Sequence, residues 1–491
     1  MTKNGIKSAR GWELAVLMLF PLLLTPKFSN ADEWQTVVDT TRLTYADGDS
    51  WLSELGADIY GNIHVTWQDN RDGNDEIYYT KLDNNGNTLV DDMRLTSDNA
   101  ESVFPHLQLD GSGNVHIIWR DSRNGSPEMY YIKLDNNGNV LVDTTRLTSG
   151  PTFNHNLRVD NVDIIHIAWQ DRRDGNPEIY YAKLDNNGNP LISDIRVSTA
   201  TGDSWWPYIG IDNSLNVHIA WYDARNGNGE IYYTKLDNNG NTLVDDTSLT
   251  FAGGAVGAPA LEVDNSNNIH IVWPDNRNGY SALYYTKLDN NGNTLIDDTL
   301  VTTANGEGYL MDMDDEGNVH IAWSDNRDGN DEIYYTKIDN NGNTLVDDTR
   351  LTFDDADSWW PRISVDENDG IHITWDDNRN GNREIYYIKG DIITAVDENP
   401  ILYPAEYKLM QNYPNPFNPT TTIHYVIGRM QPVSLKIYDI SGKEVAILVN
   451  EEKPAGAYTV KFDVSKLSSG IYFYQLKAGD FTQTKKMILM R

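Results

Sequence analysis

Short runs of alternating apolar and polar residues fill most of the chain, and they return in the same order seven times. In one unit the runs cover residues 207–212, 216–221, 230–236 and 242–245, each with the two-residue period of a β-strand. The last two runs are joined by Asp-Asn-Asn-Gly-Asn, and an Asn-Gly step there is a strong hairpin signal because both residues tolerate positive φ. The pattern predicts an all-β region built from four-stranded units.

A tryptophan marks the second strand of every unit, and consecutive copies lie 50 or 52 residues apart. The seven copies are Trp67, Trp119, Trp169, Trp221, Trp273, Trp323 and Trp375. A repeat of this length is typical of a solenoid, an array or a propeller. Four strands in each unit favour a propeller over a β-helix, whose coils are shorter. We therefore predict a seven-bladed β-propeller over residues 32–390.

The two ends of the repeat region indicate a closed ring. The seventh unit stops after residues 385–389 and lacks the fourth strand of the other units. Residues 37–44 form an unattached strand that is similar to 346–352, the fourth strand of the sixth unit. Pairing this strand with the seventh unit would complete its sheet and remove an exposed edge. We predict that residues 37–44 close blade seven.

Three repeated polar motifs admit a structural and a functional interpretation. A histidine lies three residues before each Trp, on the opposite strand face, which favours a buried histidine bonded to backbone or a Tyr hydroxyl over a metal ligand. The Asp-x-Arg-x-Gly loops form either ion pairs or a ring of guanidinium groups facing an anion, and the nearby Asp favours the ion pair. The Asp-Asn-Asn-Gly turns carry Gly at the fourth position, unlike an EF-hand loop, which favours a plain hairpin. We assign no catalytic residue, metal ligand or cofactor, and leave a structural calcium site elsewhere as an alternative.

Departures from the repeat single out one rim of the predicted propeller. The loop that enters each first strand varies most, and large aromatic residues accumulate there. The candidate ligand-binding residues are Trp51, Phe104, Trp205, Trp206, Trp359 and Trp360, with Asp203 and Asp357 beside them. Exposed aromatic rings next to carboxylates suit stacking on sugar faces with polar orientation. The alternative is aromatic packing that plugs the mouth of the tunnel.

Composition excludes several classes of function. The chain has 73 acidic and 39 basic side chains, a formal net charge of −34. This charge argues against nucleic acid as a partner, because phosphate binding needs clustered Lys and Arg. The chain has no cysteine, which excludes disulfides, thiolate zinc sites and a Cys nucleophile.

The first residues have the features of an export signal. Basic residues precede an apolar run at 14–24, which is too short to cross the hydrocarbon core of a bilayer as a helix. Ser29 and Ala31 are small residues at the −3 and −1 positions of a signal-peptidase site. We predict a cleaved signal peptide over residues 1–31 and a mature chain without a transmembrane segment.

The C-terminal region differs from the repeats. Residues 391–402 are predicted to be a linker. From residue 403 onward the chain has 11 basic and 7 acidic residues, unlike the acidic repeats. Short alternating strands in this part indicate a small antiparallel β-sandwich. The segments LMQNYPNPFNPTTTI (409–423), IYDISGKEV (437–445), SGIYF (469–473) and KKMIL (485–489) closely resemble type A sorting domains of the bacterial type IX secretion system. The resemblance implies that residues 403–491 are read by an outer-membrane translocon and that the protein is secreted or displayed at the cell surface.

The repeat region resembles the sialidase-like bacterial propellers in architecture only. The Ser-x-Asp-x-Gly-x-x-Trp box of sialidases is missing, and residues 58–62 match it only in part. The repeated Arg, Tyr and Glu residues occur in blade after blade, so none of them can be assigned to catalysis. We expect an exported propeller that binds an extracellular glycan or surface protein. The alternatives are a glycoside hydrolase or lyase on the same scaffold, and a purely structural surface protein.

Overall fold

The computed structural model describes residues 32–250, 256–303 and 307–393 and, in the C-terminal part, residues 408–409, 412, 417, 419–427, 431–453, 456–463, 467–479 and 481–490. The chain divides into two compact units. All regular elements of the described residues are β-strands, so none of these residues belongs to a helix able to cross a membrane. The predicted signal peptide (1–31) and most of the predicted linker (391–402) lie outside the described residues.

The first unit contains seven four-stranded antiparallel sheets, which are the blades of a propeller. In blades one to six the strands pair in sequence order. Blades one to three comprise β2 (Ser50–Ala57), β3 (Ile63–Asp69), β4 (Glu76–Leu82) and β5 (Thr88–Arg94); β6 (Ser102–Leu109), β7 (Val115–Asp121), β8 (Glu128–Leu134) and β9 (Val140–Arg146); and β10 (Thr152–Val159), β11 (Ile165–Asp171), β12 (Glu178–Leu184) and β13 (Pro190–Arg196). Blades four to six comprise β14 (Ser204–Ile211), β15 (Val217–Asp223), β16 (Glu230–Leu236) and β17 (Thr242–Ser248); β18 (Ala260–Val263), β19 (Ile269–Asp275), β20 (Ala282–Leu288) and β21 (Thr294–Leu300); and β22 (Glu307–Met313), β23 (Val319–Asp325), β24 (Glu332–Ile338) and β25 (Thr344–Arg350).

Blade seven draws its strands from both ends of the unit. It comprises β26 (Ser358–Val365), β27 (Ile371–Asp377), β28 (Glu384–Ile393) and, as the outermost strand, β1 (Glu33–Arg42). The antiparallel pairing of β1 with β28 runs from Glu33 opposite Ile393 to Arg42 opposite Tyr386. Strand β28 therefore extends three residues into the range predicted as linker. The first strand of each blade packs beside that of the next, and β26 packs beside β2, so the blades form a closed ring.

The blade cores are built from the repeated Trp and Tyr residues. In blade four, the buried Trp221 packs against Tyr232 with the rings tilted and their centroids 6.0 Å apart, and it donates its indole N–H to Asp223 Oδ2 at 2.9 Å. The same carboxylate binds the Arg225 guanidinium, which lies 4.0 Å from the Tyr232 ring centroid. The Asp–Arg ion pair and the Arg–Tyr contact recur in all seven blades. These arginines hold their own loops and do not form a ring around an anion.

The repeated histidines are buried and hydrogen-bonded, as the sequence predicts. His218 Nδ1 lies 2.7 Å from the Tyr233 hydroxyl, and the equivalent contact is present in every blade. On the other side, His218 Nε2 lies 3.4 Å from Asp212, which also contacts Lys235 at 3.2 Å. Lys235 in turn donates to the backbone carbonyl of Asn290 in the next blade at 2.8 Å. The network therefore connects neighbouring blades.

The second unit is an antiparallel sandwich of two sheets. One sheet has the order β29 (Lys408–Leu409), β30 (Thr420–Ile427), β33 (Gly456–Asp463), and the other β32 (Glu444–Lys453), β31 (Gln431–Asp439), β34 (Gly470–Ala478), β35 (Phe481–Leu489). Its core includes Leu435, Tyr474 and Met487, which are fully buried. The predicted fold class, a seven-bladed propeller followed by a small antiparallel sandwich, is confirmed.

Candidate functional site

A cavity of about 1120 Å³ lies within the ring formed by the first strands of the blades. All seven blades contribute to its wall. The wall is not symmetric, because blades five and six contribute small residues such as Gly257, Ala258 and Gly308. Blades one to four and blade seven contribute aromatic and charged side chains. The cavity is therefore wide on one side and rich in polar and aromatic groups on the other.

A β-bulge in the first strand brings side chains to the cavity in four blades. The register with the second strand shifts between Trp51 and Glu54 in blade one, and at the equivalent positions in blades two, four, six and seven. In blade six the bulged residue is Gly308, which has no side chain. The bulged residues Leu52, Phe104 and Trp206 have φ of 50°, 57° and 52°, and their counterpart in blade seven has 46°. A positive φ at a non-glycine residue is uncommon and costs on the order of 1–3 kcal/mol. Bulges of this kind often re-aim side chains at functional sites.

In blades one, two and seven, the preceding blade holds the bulge by accepting a hydrogen bond from the bulged backbone N–H. Phe104 N donates to Gln68 Oε1 at 2.9 Å, and Trp360 N donates to Ser324 Oγ at 3.0 Å. In blade one the acceptor is the buried Asp376 carboxylate, 3.1 Å from Leu52 N, and burial raises the pKa of Asp376 to about 7. The acceptor position directly follows the core Trp of each blade. The bulges are thus fixed by contacts between blades.

Four of the predicted aromatic residues line the cavity together: Trp51, Phe104, Trp206 and Trp360. Phe104 and Trp206 remain 41% and 39% exposed, so their rings are accessible at the mouth. The Arg120 guanidinium lies 4.5 Å from the Phe104 ring centroid. Trp51 donates its indole N–H to Asp75 at 3.3 Å.

The other four predicted residues lie outside the cavity wall. Trp205 stacks in parallel on Tyr222, with ring centroids 5.4 Å apart, and Trp359 donates its indole N–H to Asp331 at 2.8 Å. The remaining two are loop residues. The Asp357 carboxylate accepts the Asp331 backbone N–H at 3.2 Å, and the Asp203 carbonyl oxygen accepts the Ala224 N–H at 2.9 Å.

The floor of the cavity contains charged residues that the sequence did not single out. Glu54 Oε1 lies 2.6 Å from Arg362 Nε and 3.6 Å from His106 Nδ1. Burial raises the pKa of Glu54, although Arg362 opposes the shift. Burial, followed by the charge of Arg362, lowers the pKa of His106 to about 3, so this imidazole is neutral at neutral pH. Its ring centroid lies 5.1 Å from that of His155.

One position of the repeat, when compared across the seven blades, indicates these floor residues in the sequence. Residues 54, 106, 156, 208, 260, 310 and 362 are equivalent in the strand registers, and they are Glu, His, Asn, Tyr, Ala, Leu and Arg. The next residue along each strand is Leu, Ile or Met in every blade. A position that varies this much inside a regular repeat marks residues that face a shared space. Among the described residues, no group of three or more His, Asp or Glu side chains is arranged to hold a metal ion.

Comparisons with known proteins bear on the two units differently. Residues 411–490 match the family model described as a secretion system C-terminal sorting domain. A search of curated proteins finds no match. Among solved structures, the chain is similar to a Dyadobacter fermentans protein of unknown function (8% identity, 73% of this chain, 99% of that chain, TM-score 0.47) and to a polysaccharide lyase of family PL25, an ulvan lyase (13%, 70%, 94%, 0.49). It is also similar to a sialidase of Streptococcus pneumoniae (11% identity, 73% of this chain, 70% of that chain, TM-score 0.40).

The family match assigns a role to the second unit. The matched range contains three of the segments that resemble type A sorting domains, at 437–445, 469–473 and 485–489, and most of the strands of the sandwich. Domains of this family mark proteins for export by type IX secretion. The C-terminal unit is therefore a secretion system sorting domain, and the protein is cargo of the type IX machinery, exported to the cell surface or the extracellular space.

Proposed function

We propose that the exported propeller binds a saccharide in its central cavity. The observation that carries this proposal is the set of four aromatic side chains, from four different blades, that lines the mouth above a polar floor. Sugar rings present apolar faces that stack on aromatic rings, and hydroxyl groups that need placed polar partners. The cavity is somewhat larger than the roughly 300–1000 Å³ of typical small-molecule pockets, which suits an extended ligand.

The local backbone supports a binding role over a plug. Phe104 and Trp206 are exposed at the mouth, whereas a plugging ring would be covered by its neighbours. Both residues also have positive φ in a bulge. Strain of this kind persists only where the surrounding structure enforces it, and it concentrates at ligand-binding and catalytic sites.

The adjacent residues Trp205 and Trp206 provide a matched test. Trp206 lines the cavity and Trp205 does not, so Trp206→Ala should weaken glycan binding about tenfold, a typical value for a lost stacking contact, while Trp205→Ala should weaken it much less. The full-length exported protein is first screened on a glycan array, and affinities for the bound glycan are then measured by calorimetry. Thermal melting of both variants reports any structural damage.

Two outcomes would contradict the proposal. If the protein binds no glycan on the array, the proposed saccharide binding is refuted. Equal loss of affinity in the two variants, with a matching loss of melting temperature, would mean that these rings stabilise the mouth and do not contact ligand. Incubation of the protein with the bound glycan, followed by chain-length analysis, tests the hydrolase and lyase alternatives in the same preparation.

A further inference from the structure

Most arginines of the propeller are paired with carboxylates. Among the described residues of this unit, 14 of the 17 arginines form an ion pair with Asp or Glu. The three that form none are Arg120, Arg172 and Arg383. In a chain with 73 acidic residues, partners are abundant. The absence of an ion pair at these three positions therefore has a local cause.

All three unpaired arginines pack on aromatic rings, and two of them, Arg120 and Arg383, contact rings that line the cavity. Arg120 lines the cavity and lies between Phe104 and Phe153, 4.5 Å and 6.0 Å from their ring centroids. Arg172 lies 4.9 Å from the same Phe153 ring. Cation–π packing of this type holds a guanidinium plane in place and leaves its N–H donors free for another partner.

Arg383 occupies the corresponding place between blades seven and one. Its guanidinium lies 5.1 Å from the Trp51 ring centroid and 5.4 Å from that of Trp360, and both rings line the cavity. Its Nη1 atom is buried and has no hydrogen-bond partner in the described residues. Buried donors without a partner are rare in folded proteins.

Arg120 is also an exception within the repeat. The residue that follows the core Trp is uncharged in five of the other six blades and Asp in the sixth, so only blade two places a cation there. Burial lowers the pKa of Arg120, and Glu101 opposes the shift without forming an ion pair. A guanidinium kept in such a place matches the planar, two-oxygen edge of a carboxylate or sulfate group.

Two of the three carboxylates in the cavity wall have other partners, and His155 adds a free acceptor. Glu54 is bound by Arg362, and Asp75 accepts the indole N–H of Trp51, whereas Glu101 is exposed. His155 Nε2 lies 2.9 Å from the Phe104 carbonyl oxygen, so it carries the proton and leaves Nδ1 as an acceptor. That Nδ1 atom is buried and has no partner in the described residues, which suits a ligand hydroxyl.

We propose that the saccharide bound in the cavity is acidic, and that Arg120 binds its carboxylate or sulfate group. Arg383, which packs on two rings of the cavity wall, adds positive charge nearby, and so does Arg172, which shares the Phe153 ring with Arg120. This inference rests on the proposed function, since it names the class of ligand for the same cavity.

Three polymers separate the ligand classes on the full-length exported protein. Polygalacturonate carries carboxylates, κ-carrageenan carries sulfates, and β-1,4-galactan is neutral. We expect at least one acidic polymer to bind at least tenfold more tightly than galactan, and Arg120→Gln to remove about tenfold or more of that affinity. Arg120→Lys keeps the positive charge but lacks the planar guanidinium with its paired N–H donors, so this variant should retain part of the affinity. Lys443→Gln removes the same charge from an exposed site in the other unit and should change nothing.

The outcomes distinguish this inference from the proposed function. Preference for an acidic polymer that disappears in Arg120→Gln but persists in Lys443→Gln supports it, and the polymer preferred identifies the acidic group. Equal affinity for neutral and acidic polymers, or an Arg120→Gln variant that binds acidic polymers normally, overturns it and leaves the saccharide site standing. Binding to none of the three polymers, together with an empty glycan array, overturns both.

Discussion

Ring closure by β1 can be tested at a single buried carboxylate. The Glu384 side chain is fully buried and is bound by Arg42, by the Thr44 hydroxyl and by Asn382 Nδ2, the last at 2.8 Å. Arg42 lies on β1 and Thr44 directly follows it, so two of these donors come from the other end of the propeller sequence. We predict that Arg42→Gln destabilises the propeller substantially.

The expected size follows from the environment of Glu384. Removing one partner of a buried ion pair costs about 3–5 kcal/mol, because the remaining charge is left without compensation. Arg42 is 22% exposed, and Thr44 and Asn382 would still donate to Glu384, so we expect about 2–3 kcal/mol. A second substitution, Glu384→Gln, should recover part of the loss in the Arg42→Gln background because it removes the buried charge.

Blade six supplies a matched control. Arg350 and Thr352 bind the buried Glu332 in the same way, but there all three residues belong to one continuous stretch of chain. Arg350→Gln should therefore destabilise by a similar amount, measured for both variants by urea unfolding followed through tryptophan fluorescence. If Arg350→Gln destabilises the protein and Arg42→Gln leaves the unfolding midpoint unchanged, β1 is not docked in solution and the closure is refuted.

Three other results are expected. Burial lowers the pKa of the seven repeat histidines below their usual 6.5, so below that pH the unfolded chain binds more protons than the folded chain. The urea concentration at the unfolding midpoint should therefore fall from pH 7 to pH 5, and a midpoint that does not change with pH would contradict neutral histidines. Deletion of residues 411–490 should leave a folded propeller in the periplasm, which cell fractionation would show; efficient export would contradict the sorting role. Gly210→Ala places a Cβ 2.5 Å from Leu261 and should cost about 1–3 kcal/mol in the same unfolding assay, whereas Gly150→Ala, with its nearest atom at 4.0 Å, should be nearly neutral.

Local signals made most of the propeller predictable from sequence. Asn-Gly turns fix hairpins through backbone preferences of the residues themselves, and the Trp period counts the blades without further information. The bulges at Leu52, Phe104 and Trp360 were not predictable, because the positive φ at these residues accompanies hydrogen bonds from their backbone N–H groups to acceptors in the preceding blade. A local pattern does not contain such contacts.

The residues of the candidate site were also only partly predictable from the sequence. The sequence pointed to both members of the pair Trp205 and Trp206, but only the second lines the cavity, because the bulge changes which side chain faces inward. The repeat shows Arg120 as the one cation that directly follows a core Trp, but its lack of an ion pair, which it shares with Arg172 and Arg383, is a property of the described structure. Such a property depends on the positions of all neighbouring carboxylates and is visible only in three dimensions.

The pairing of β1 with β28 also sets an order of events in synthesis. Arg42 and Glu384 are 342 positions apart, so the first strand to leave the ribosome has no partner until nearly the whole propeller has been made. The thermodynamic penalty for such a long loop grows only slowly with length, so the delay is a matter of time rather than of final stability. The sorting domain follows the last blade, and a chain that ends prematurely within the repeats therefore lacks both a closed ring and the means of leaving the cell.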